Sequence, residues 1–125
     1  MERPNQHRAT QKKGDFAVAQ AIATFTRLGM DVLFPLTESA AYDIAVDRGQ
    51  KLYRVQVRFC SGKEVGLRRI HSNSKGYVVK KIKKNAFDWL YVLGQDGKEF
   101  LIRDDLSNRS TITPQDRDRI EKVLG

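Results

Sequence analysis

Apolar residues recur at helical spacing between Gly14 and Leu28. Positions i, i+4 and i+7 of one face are Val18, Ile22 and Phe25, a spacing typical of an amphipathic α-helix. Gly29 follows directly, where many helices end in a left-handed residue. Asp15 falls in the first turn of this predicted helix, where the helix dipole favours an acid. The first 13 residues are polar and basic without periodicity, so we expect a flexible arm over residues 1–13.

Five short runs further along the chain have the alternating or continuous apolar pattern of β-strands. They are Met30–Phe34, Tyr42–Val46, Leu52–Phe59, Trp89–Leu93 and Glu99–Ile102. Asp96-Gly97 lies between the last two runs and is a strong signal for a two-residue hairpin turn. The pattern predicts an α/β fold, with a central mixed sheet of about five strands flanked by helices. We assign it to a single domain over residues 14–125.

The segments between and after these strands are less regular. Ser61–Gly76 is rich in Gly, Ser, Asn and Arg, which favours a loop or an exposed hairpin around Val65–Ile70. Val79–Phe87 favours a short basic helix. Pro114–Leu124 favours a final helix, with Thr113 as its N-cap and a proline at its first position.

Composition narrows the class of protein further. A chain of 125 residues can bury one hydrophobic core without disulfides. Cys60 is the single cysteine, so no disulfide can form within the chain, and this fits a reducing, cytoplasmic compartment. We find no signal-peptide pattern and no run approaching the roughly 20 apolar residues that span a bilayer, so no membrane association is expected.

The excess positive charge lies in one segment. Residues 58–84 contain nine Lys or Arg and one acid, a net charge of +8, while the rest of the chain holds 14 basic and 14 acidic residues. Concentrated positive charge suits binding of a phosphate backbone, because each neutralised phosphate releases condensed counterions. A solvated surface that aids solubility is the alternative interpretation. A membrane surface is disfavoured as partner, since the segment has no long amphipathic helix.

Three polar side chains share one face of the hairpin predicted over residues 42–59. A turn that pairs Asp43 opposite Gln56, or one step diagonal to it, places both on the same face. Arg58 lies two residues beyond Gln56, about 6.6 Å further along that face. An acid, an amide and a cation would therefore meet on one polar patch.

Such a patch suits phosphodiester hydrolysis. Asp43, Gln56 and the Val57 carbonyl offer the oxygen ligands that Mg²⁺ prefers. A metal-bound water can serve as nucleophile, and a nearby cation can stabilise charge on the phosphate. Taken by itself, the spacing Asp-x12-Gln-x-Arg is a weak signal, because any hairpin with polar residues on its solvent face can carry it.

The order of these features resembles the PD-(D/E)XK nuclease superfamily from Lys13 to about Phe59, and more loosely to Ile102. Lys13-Gly14-Asp15 is similar to the helix start at which an acid, usually Glu, completes the family's metal site. Tyr42-Asp43-Ile44 is similar to the strand that carries the family aspartate. Val55-Gln56-Val57-Arg58 resembles the (E/Q)-x-K strand. Gln at that position resembles the intron-encoded homing endonuclease branch, and the helix-first layout more distantly resembles archaeal Holliday-junction resolvases.

The resemblance implies a restriction-endonuclease-like core that cuts double-stranded DNA with Mg²⁺ or Mn²⁺, in a prokaryotic or phage context. It implies that Asp15, Asp43, Gln56 and Arg58 are catalytic and that Asp15, Asp43, Gln56 and Val57 hold the metal. It also implies a homo-oligomer, dimer or tetramer, which agrees with the need for two active sites to cut two strands. For Asp15 the alternative is a purely structural acid at a helix start.

Arg58 stands where the family has a lysine. Arginine cannot be deprotonated in a protein and prefers bidentate phosphate contacts, so Arg58 is suited to position a phosphate and not to relay a proton. The leading hypothesis is a sequence-specific endonuclease of homing type. Its rivals are a disabled nuclease that only binds DNA and a junction resolvase that reads DNA shape. A basic RNA-binding protein is a third rival, although no RNP-like aromatic pattern supports it.

Ten residues of the basic segment are candidate DNA contacts. They are Lys63, Arg68, Arg69, Asn73, Lys75, Tyr77, Lys80, Lys81, Lys83 and Lys84. An exposed two-stranded ribbon fits the major groove, where Arg reads guanine and Asn reads adenine. We therefore predict base recognition by the ribbon residues Arg68, Arg69, Asn73 and Lys75. The lysines at 80, 81, 83 and 84 are predicted to contact phosphates. The alternative is that all of them contact phosphates only.

Arg68→Ala is predicted to relax preference at particular base pairs, because a lost base contact affects only the base it reads. Lys83→Ala should instead weaken binding to all sequences alike and flatten the salt dependence, since it removes a phosphate contact. A binding screen over a randomised duplex library at two salt concentrations measures both effects. Equal losses across all sequences from Arg68→Ala would refute base recognition by the ribbon.

Overall fold

A single sheet organises the chain in the computed structural model, which describes residues 6–37, 40–67, 69–73, 76–80 and 86–125. The helices are α1 (Gln6–Arg27) and α2 (Ile120–Val123), with a 3-10 turn over Asp116–Asp118. The strands are β1 (Asp31–Leu33), β2 (Ile44–Asp47), β3 (Leu52–Cys60), β4 (Val65–Gly66), β5 (Arg69–Asn73), β6 (Gly76–Lys80), β7 (Trp89–Gly94), β8 (Glu99–Ile102) and β9 (Thr111–Ile112).

The main sheet has five strands in the order β1-β2-β3-β7-β8. Strands β3 and β7 pair in parallel, from Val55 beside Trp89 to Cys60 beside Gly94. The pairs β1–β2, β2–β3 and β7–β8 are antiparallel. The sheet is therefore mixed, which confirms the predicted α/β fold, and β3 lies at its centre. Short pairs β4–β9 and β5–β6 form two further ribbons.

Each face of the sheet buries a separate apolar cluster, because side chains alternate between the faces along every strand. On one face, α1 packs Ala17, Ala21 and Phe25 onto the odd-numbered residues of β3 and β7. The opposite face carries Cys60, Leu90 and Val92, which are covered by residues of β4, β9 and the loop before β9. The second cluster covers only the β3–β7–β8 half of the sheet. The polar residues of β3, Gln56 and Arg58, thus lie at the border of this second cluster.

Helix α1 begins at Gln6, eight residues earlier than predicted. Residues 6–13, which we predicted to belong to the arm, are helical. The reason is that Gln, Arg, Ala and Lys in this stretch are good helix formers, while a single glycine inside a helix costs only about 1 kcal/mol. Asp15 is therefore in the third turn of α1 and not in its first. The end was predicted well, since Gly29 has a φ of 89°.

Three local predictions of the second half of the chain are wrong. The hairpin expected around Val65–Ile70 lies instead at β5–β6, which pair from Arg69 beside Lys80 to Asn73 beside Gly76. Val79 and Lys80, predicted to start a basic helix, end strand β6, since the run Tyr-Val-Val has high β-propensity. The final helix is reduced to a 3-10 turn and α2. Its cap is formed by the Asp118 carboxylate, which accepts from the Gln115 N–H at 2.8 Å.

The predicted hairpin across Asp96-Gly97 is confirmed. Strands β7 and β8 pair from Leu90 beside Ile102 to Leu93 beside Glu99. Gly97 has a φ of 87°, a conformation that side-chain-bearing residues rarely adopt. Among the described residues, no helix combines the length and apolar character that crossing a membrane requires.

A half-buried carboxylate, that of Glu99, links α1 to this hairpin. Glu99 accepts from the Thr24 hydroxyl at 2.5 Å and from the Tyr91 hydroxyl at 2.6 Å, both through Oε2. Burial, followed by the hydrogen bond and the negative charge of Glu99, raises the pKa of Tyr91 far above its usual range. The phenol therefore stays protonated and keeps donating at any pH at which the protein is handled.

Tyr91→Phe is predicted to lower the free energy of unfolding by about 1.5–3 kcal/mol, because it removes a hydrogen bond to a charged acceptor under the helix. The measurement is urea denaturation followed by circular dichroism. Tyr53→Phe is the matched control, since no described hydrogen bond involves the Tyr53 hydroxyl, and it should change stability by less than about 0.5 kcal/mol. Equal effects of the two substitutions would contradict the role assigned to Glu99.

Candidate active site

Strand β2 separates from β3 near the middle of β3. The antiparallel pairing runs from Asp47 beside Leu52 to Ile44 beside Val55, and the Asp43 N–H still donates to the Val55 carbonyl at 3.0 Å. In an extended strand the N–H and C=O of one residue point to the same edge. Val57 therefore presents both of its backbone groups to the gap that opens where β2 turns away.

The Asp43 carboxylate fills this gap. Its Oδ2 accepts from the Val57 N–H at 2.8 Å and from the Gln56 Nε2 at 2.9 Å. A side-chain oxygen thus replaces the backbone carbonyl that a continued β2 would have offered. The amide of Gln56 has its nitrogen toward Asp43 because two oxygens facing each other would repel, so its Oε1 points elsewhere.

The predicted meeting of Asp43, Gln56 and Arg58 on one face is found, but the patch is less open than expected. Gln56 is only 8% exposed, since it lies at the border of the second apolar cluster. Asp43 and Arg58 are half-buried. In such surroundings charges are screened less than in water, and the interactions between these groups are correspondingly stronger.

Arg58 turns back toward the same gap. Its Nη1 donates to the Val57 carbonyl at 3.2 Å. The two backbone groups of Val57 are thus bound by side chains of opposite charge, the N–H by Asp43 and the carbonyl by Arg58. The carbonyl oxygen that we predicted as a metal ligand is the one that the guanidinium contacts.

Asp15 does not join this group. Its side chain is exposed on α1, and with 100° per helical residue it points roughly 160° away from Ala17, which is buried against the sheet. No hydrogen bond or ion pair links Asp15 to Asp43 or Gln56 in the described part of the chain. Lys13, two residues earlier, does face the sheet, with its Nζ 5.7 Å from the ring centroid of Phe59.

The oxygens around Asp43 suit a hard divalent cation that keeps several waters. Oδ2 is occupied by its two donors, whereas the structure gives Oδ1 no hydrogen-bond partner among the described residues. The Val57 carbonyl supplies a neutral oxygen donor at the same gap, whereas Gln56 presents its amide nitrogen to Asp43 and would supply its Oε1 only by giving up that hydrogen bond. The described residues contain no cluster of three or more His, Cys, Asp or Glu side chains that would form a dedicated metal cage. The donor set therefore fits Mg²⁺, which often binds through one or two carboxylates and water.

An open cleft beside Asp43 was missed by the sequence analysis. It has a volume of about 310 Å³ and is lined by Phe34, Pro35, Leu36, Thr37, Ala40, Tyr42 and Asp43. Phe34 and Leu36 are strongly exposed although both are large and apolar. The signal in the sequence is the Phe-Pro-Leu run after β1, which cannot continue a strand beyond the proline.

The candidate DNA contacts are placed only in part. Lys63 is exposed at the rim of a cavity of about 470 Å³ that also borders Cys60 and Lys98. Arg69, Asn73, Tyr77 and Lys80 belong to the β5–β6 ribbon. Arg68, Lys75, Lys81, Lys83 and Lys84 lie outside the described residues. A two-stranded ribbon in the basic segment is thus present, eleven residues after Arg58.

Comparison with known proteins defines the class to which this fold and site belong. The family model of the PD-(D/E)XK endonucleases matches residues 8–116. The chain therefore belongs to the PD-(D/E)XK endonuclease family, and the expected endonuclease class is confirmed. Its structure is similar to that of a bacterial homing endonuclease, I-Ssp6803I, with a TM-score of 0.73 and 27% identity over 89% of this chain and 81% of that one. No curated relative matches the chain.

Asp43→Ala is predicted to destabilise the protein by about 1–3 kcal/mol, because it leaves the Val57 N–H without an acceptor. Asp43→Asn should stay within about 1 kcal/mol of the wild type, since its amide oxygen can accept from the same two donors. Urea denaturation gives the stabilities, and hydrogen exchange at the Val57 amide reports the bond directly. Similar stability of the alanine and asparagine variants would contradict the proposed role of Asp43 in closing the gap.

Proposed function

We propose that the protein is a divalent-metal-dependent, sequence-specific endonuclease of homing type that hydrolyses double-stranded DNA. The observation that carries the proposal is the junction of Asp43, Gln56 and Val57 at the point where β2 leaves β3, in a chain of the PD-(D/E)XK family. The likeness to I-Ssp6803I supports the homing type. DNA as substrate agrees with the +8 charge of residues 58–84.

Asp43, the Gln56 amide oxygen and the Val57 carbonyl would hold the cation, Mg²⁺ or Mn²⁺. When bound, the cation supplies an acidified water as nucleophile and neutralises charge on the scissile phosphate. Asp43 is already fixed by two donors, so its free oxygen is oriented in advance. The proposal does not depend on Asp15, whose exposed position on α1 gives it no support as a ligand.

Arg58 would bind the scissile phosphate. Its planar guanidinium offers two parallel donors to phosphate oxygens and keeps its charge at any working pH. It cannot accept or release a proton, so proton transfer has to use water. We therefore assign to Arg58 the stabilisation of charge on the phosphate, but not the proton transfer of which a lysine is capable.

The β5–β6 ribbon would supply recognition. Its length of five residues per strand suits insertion into the major groove, where base edges are distinguishable. Two subunits are required to cut both strands, so we propose a homo-oligomer with paired sites.

Cleavage of a randomised duplex library with Mg²⁺ tests the proposal, because a rare cutter would leave an arbitrary plasmid intact. Wild type should cut a subset of sequences. Asp43→Asn should cut at least about a thousandfold more slowly, since it removes the charged oxygen worth several kcal/mol to a bound cation while preserving the fold. Arg58→Lys should retain cleavage of the same sequences.

Each result has a distinct meaning. Cutting by the wild type that Asp43→Asn abolishes supports the site. Binding without cutting by the wild type, with cutting regained in Arg58→Lys, would mean a degraded nuclease that acts as a DNA-binding protein. Preference for four-way junctions of arbitrary sequence would mean that the protein recognises DNA shape and not DNA sequence. Unchanged cutting by Asp43→Asn would remove Asp43 from the active site.

A further inference from the structure

The Val57 carbonyl has two competing partners in this site. The guanidinium of Arg58 contacts it at 3.2 Å, while the proposed cation needs the same oxygen. Val57 is buried, and its carbonyl prefers to keep a donor or a cation on its lone pairs, because an unsatisfied acceptor is costly away from water. The guanidinium and the cation both carry positive charge, so they also repel each other across this short distance.

We propose that Arg58 substitutes for the divalent cation in the free enzyme and is exchanged for it when a DNA phosphate enters the site. The inference rests on the proposed function and concerns the control of that same site. Arg58 is the only member of the group with a long, flexible side chain, so it is the part that can move. Asp43 and Gln56 are fixed to each other and to β3.

The exchange couples two binding events. A phosphate attracts the guanidinium through charge-assisted, bidentate hydrogen bonds that are stronger than a hydrogen bond to the neutral Val57 carbonyl. Departure of Arg58 frees the Val57 oxygen and removes a positive charge from the ligand set. DNA should therefore tighten cation binding, and by thermodynamic reciprocity the cation should tighten DNA binding by the same factor.

This coupling gives a reason for arginine in place of lysine. Lysine carries a compact charge on a stem that can turn its donors elsewhere, whereas the fork of arginine can hold a carbonyl in one state and a phosphate in the other. Arg58 thus has two states, one bound to the Val57 carbonyl and one bound to the phosphate. Cations would be held weakly until substrate is bound.

Calorimetric titration of Mn²⁺ into the full chain, with and without a saturating DNA duplex, tests the exchange. Without DNA, Arg58→Met should bind Mn²⁺ about tenfold more tightly than the wild type, as expected for a typical coupling between two sites. DNA should tighten Mn²⁺ binding in both proteins, because the phosphate charge attracts the cation, but the gain should be about tenfold larger in the wild type than in Arg58→Met. Arg48→Met is the matched control: it removes one positive charge from an exposed turn, and its Mn²⁺ affinity should equal that of the wild type.

Equal Mn²⁺ affinity of wild type and Arg58→Met without DNA would overturn the exchange, as would an equal gain in Arg48→Met, which would indicate a general effect of net charge. Arg58→Gln serves as a second variant if Arg58→Met does not fold. Library cleavage separates the two ideas. If the wild type cuts DNA but Arg58→Met binds Mn²⁺ no more tightly than the wild type, the proposed function stands and only the exchange is refuted. Absence of Mn²⁺ binding in every variant, with and without DNA, would overturn both.

Discussion

The gap between β2 and β3 is the constraint on which the site depends. Beyond the Ile44–Val55 pair, β2 turns away and the backbone groups of Val57 lose their partners in the ladder. Half-buried backbone groups require hydrogen bonds, so side chains must supply them. Asp43 binds the N–H and Arg58 the carbonyl. The hydrogen bonds that satisfy the backbone of Val57 thus also bring an acid and a cation together at one point of the sheet.

The rest of the fold keeps this point rigid. Strand β3 is central, with β7 hydrogen-bonded to its other edge, α1 on one face and the second apolar cluster at the border of the other. Glu99 fastens α1 to the β7–β8 hairpin through two hydroxyl donors. At the start of the parallel pair, Arg54 and Asp88 exchange backbone and side-chain hydrogen bonds. Although burial raises the pKa of Asp88, these bonds outweigh it and lower that pKa. Strand β3 therefore holds the backbone of Gln56 and Arg58 in a fixed position.

In the proposed active site, arginine at position 58 takes the place of the lysine of the family pattern, and this changes what the site can do. The pKa of a lysine can be lowered until it exchanges a proton, whereas arginine keeps its charge and presents its donors in a fixed planar arrangement. In this structure its guanidinium contacts the backbone of its own strand, at the carbonyl of Val57. Family membership defines the class of reaction, and this local contact is where the chain differs from the family pattern.

The sequence alone determined the features that follow from periodicity and local chemistry. Alternation along 52–59 placed Gln56 and Arg58 on one face, the spacing across the turn brought Asp43 to them, and charge counting found the basic segment. Only the tertiary structure decided where β2 leaves β3, because period two fixes the face of a side chain but not the residue at which pairing stops. It also decided that Gln56 is buried, since its cover comes from residues 65–112, far along the chain. The position of Asp15 was predicted wrongly for a different reason. The start of a helix rests on weak propensities, and α1 begins eight residues earlier than predicted, so Asp15 is not at its N-terminus.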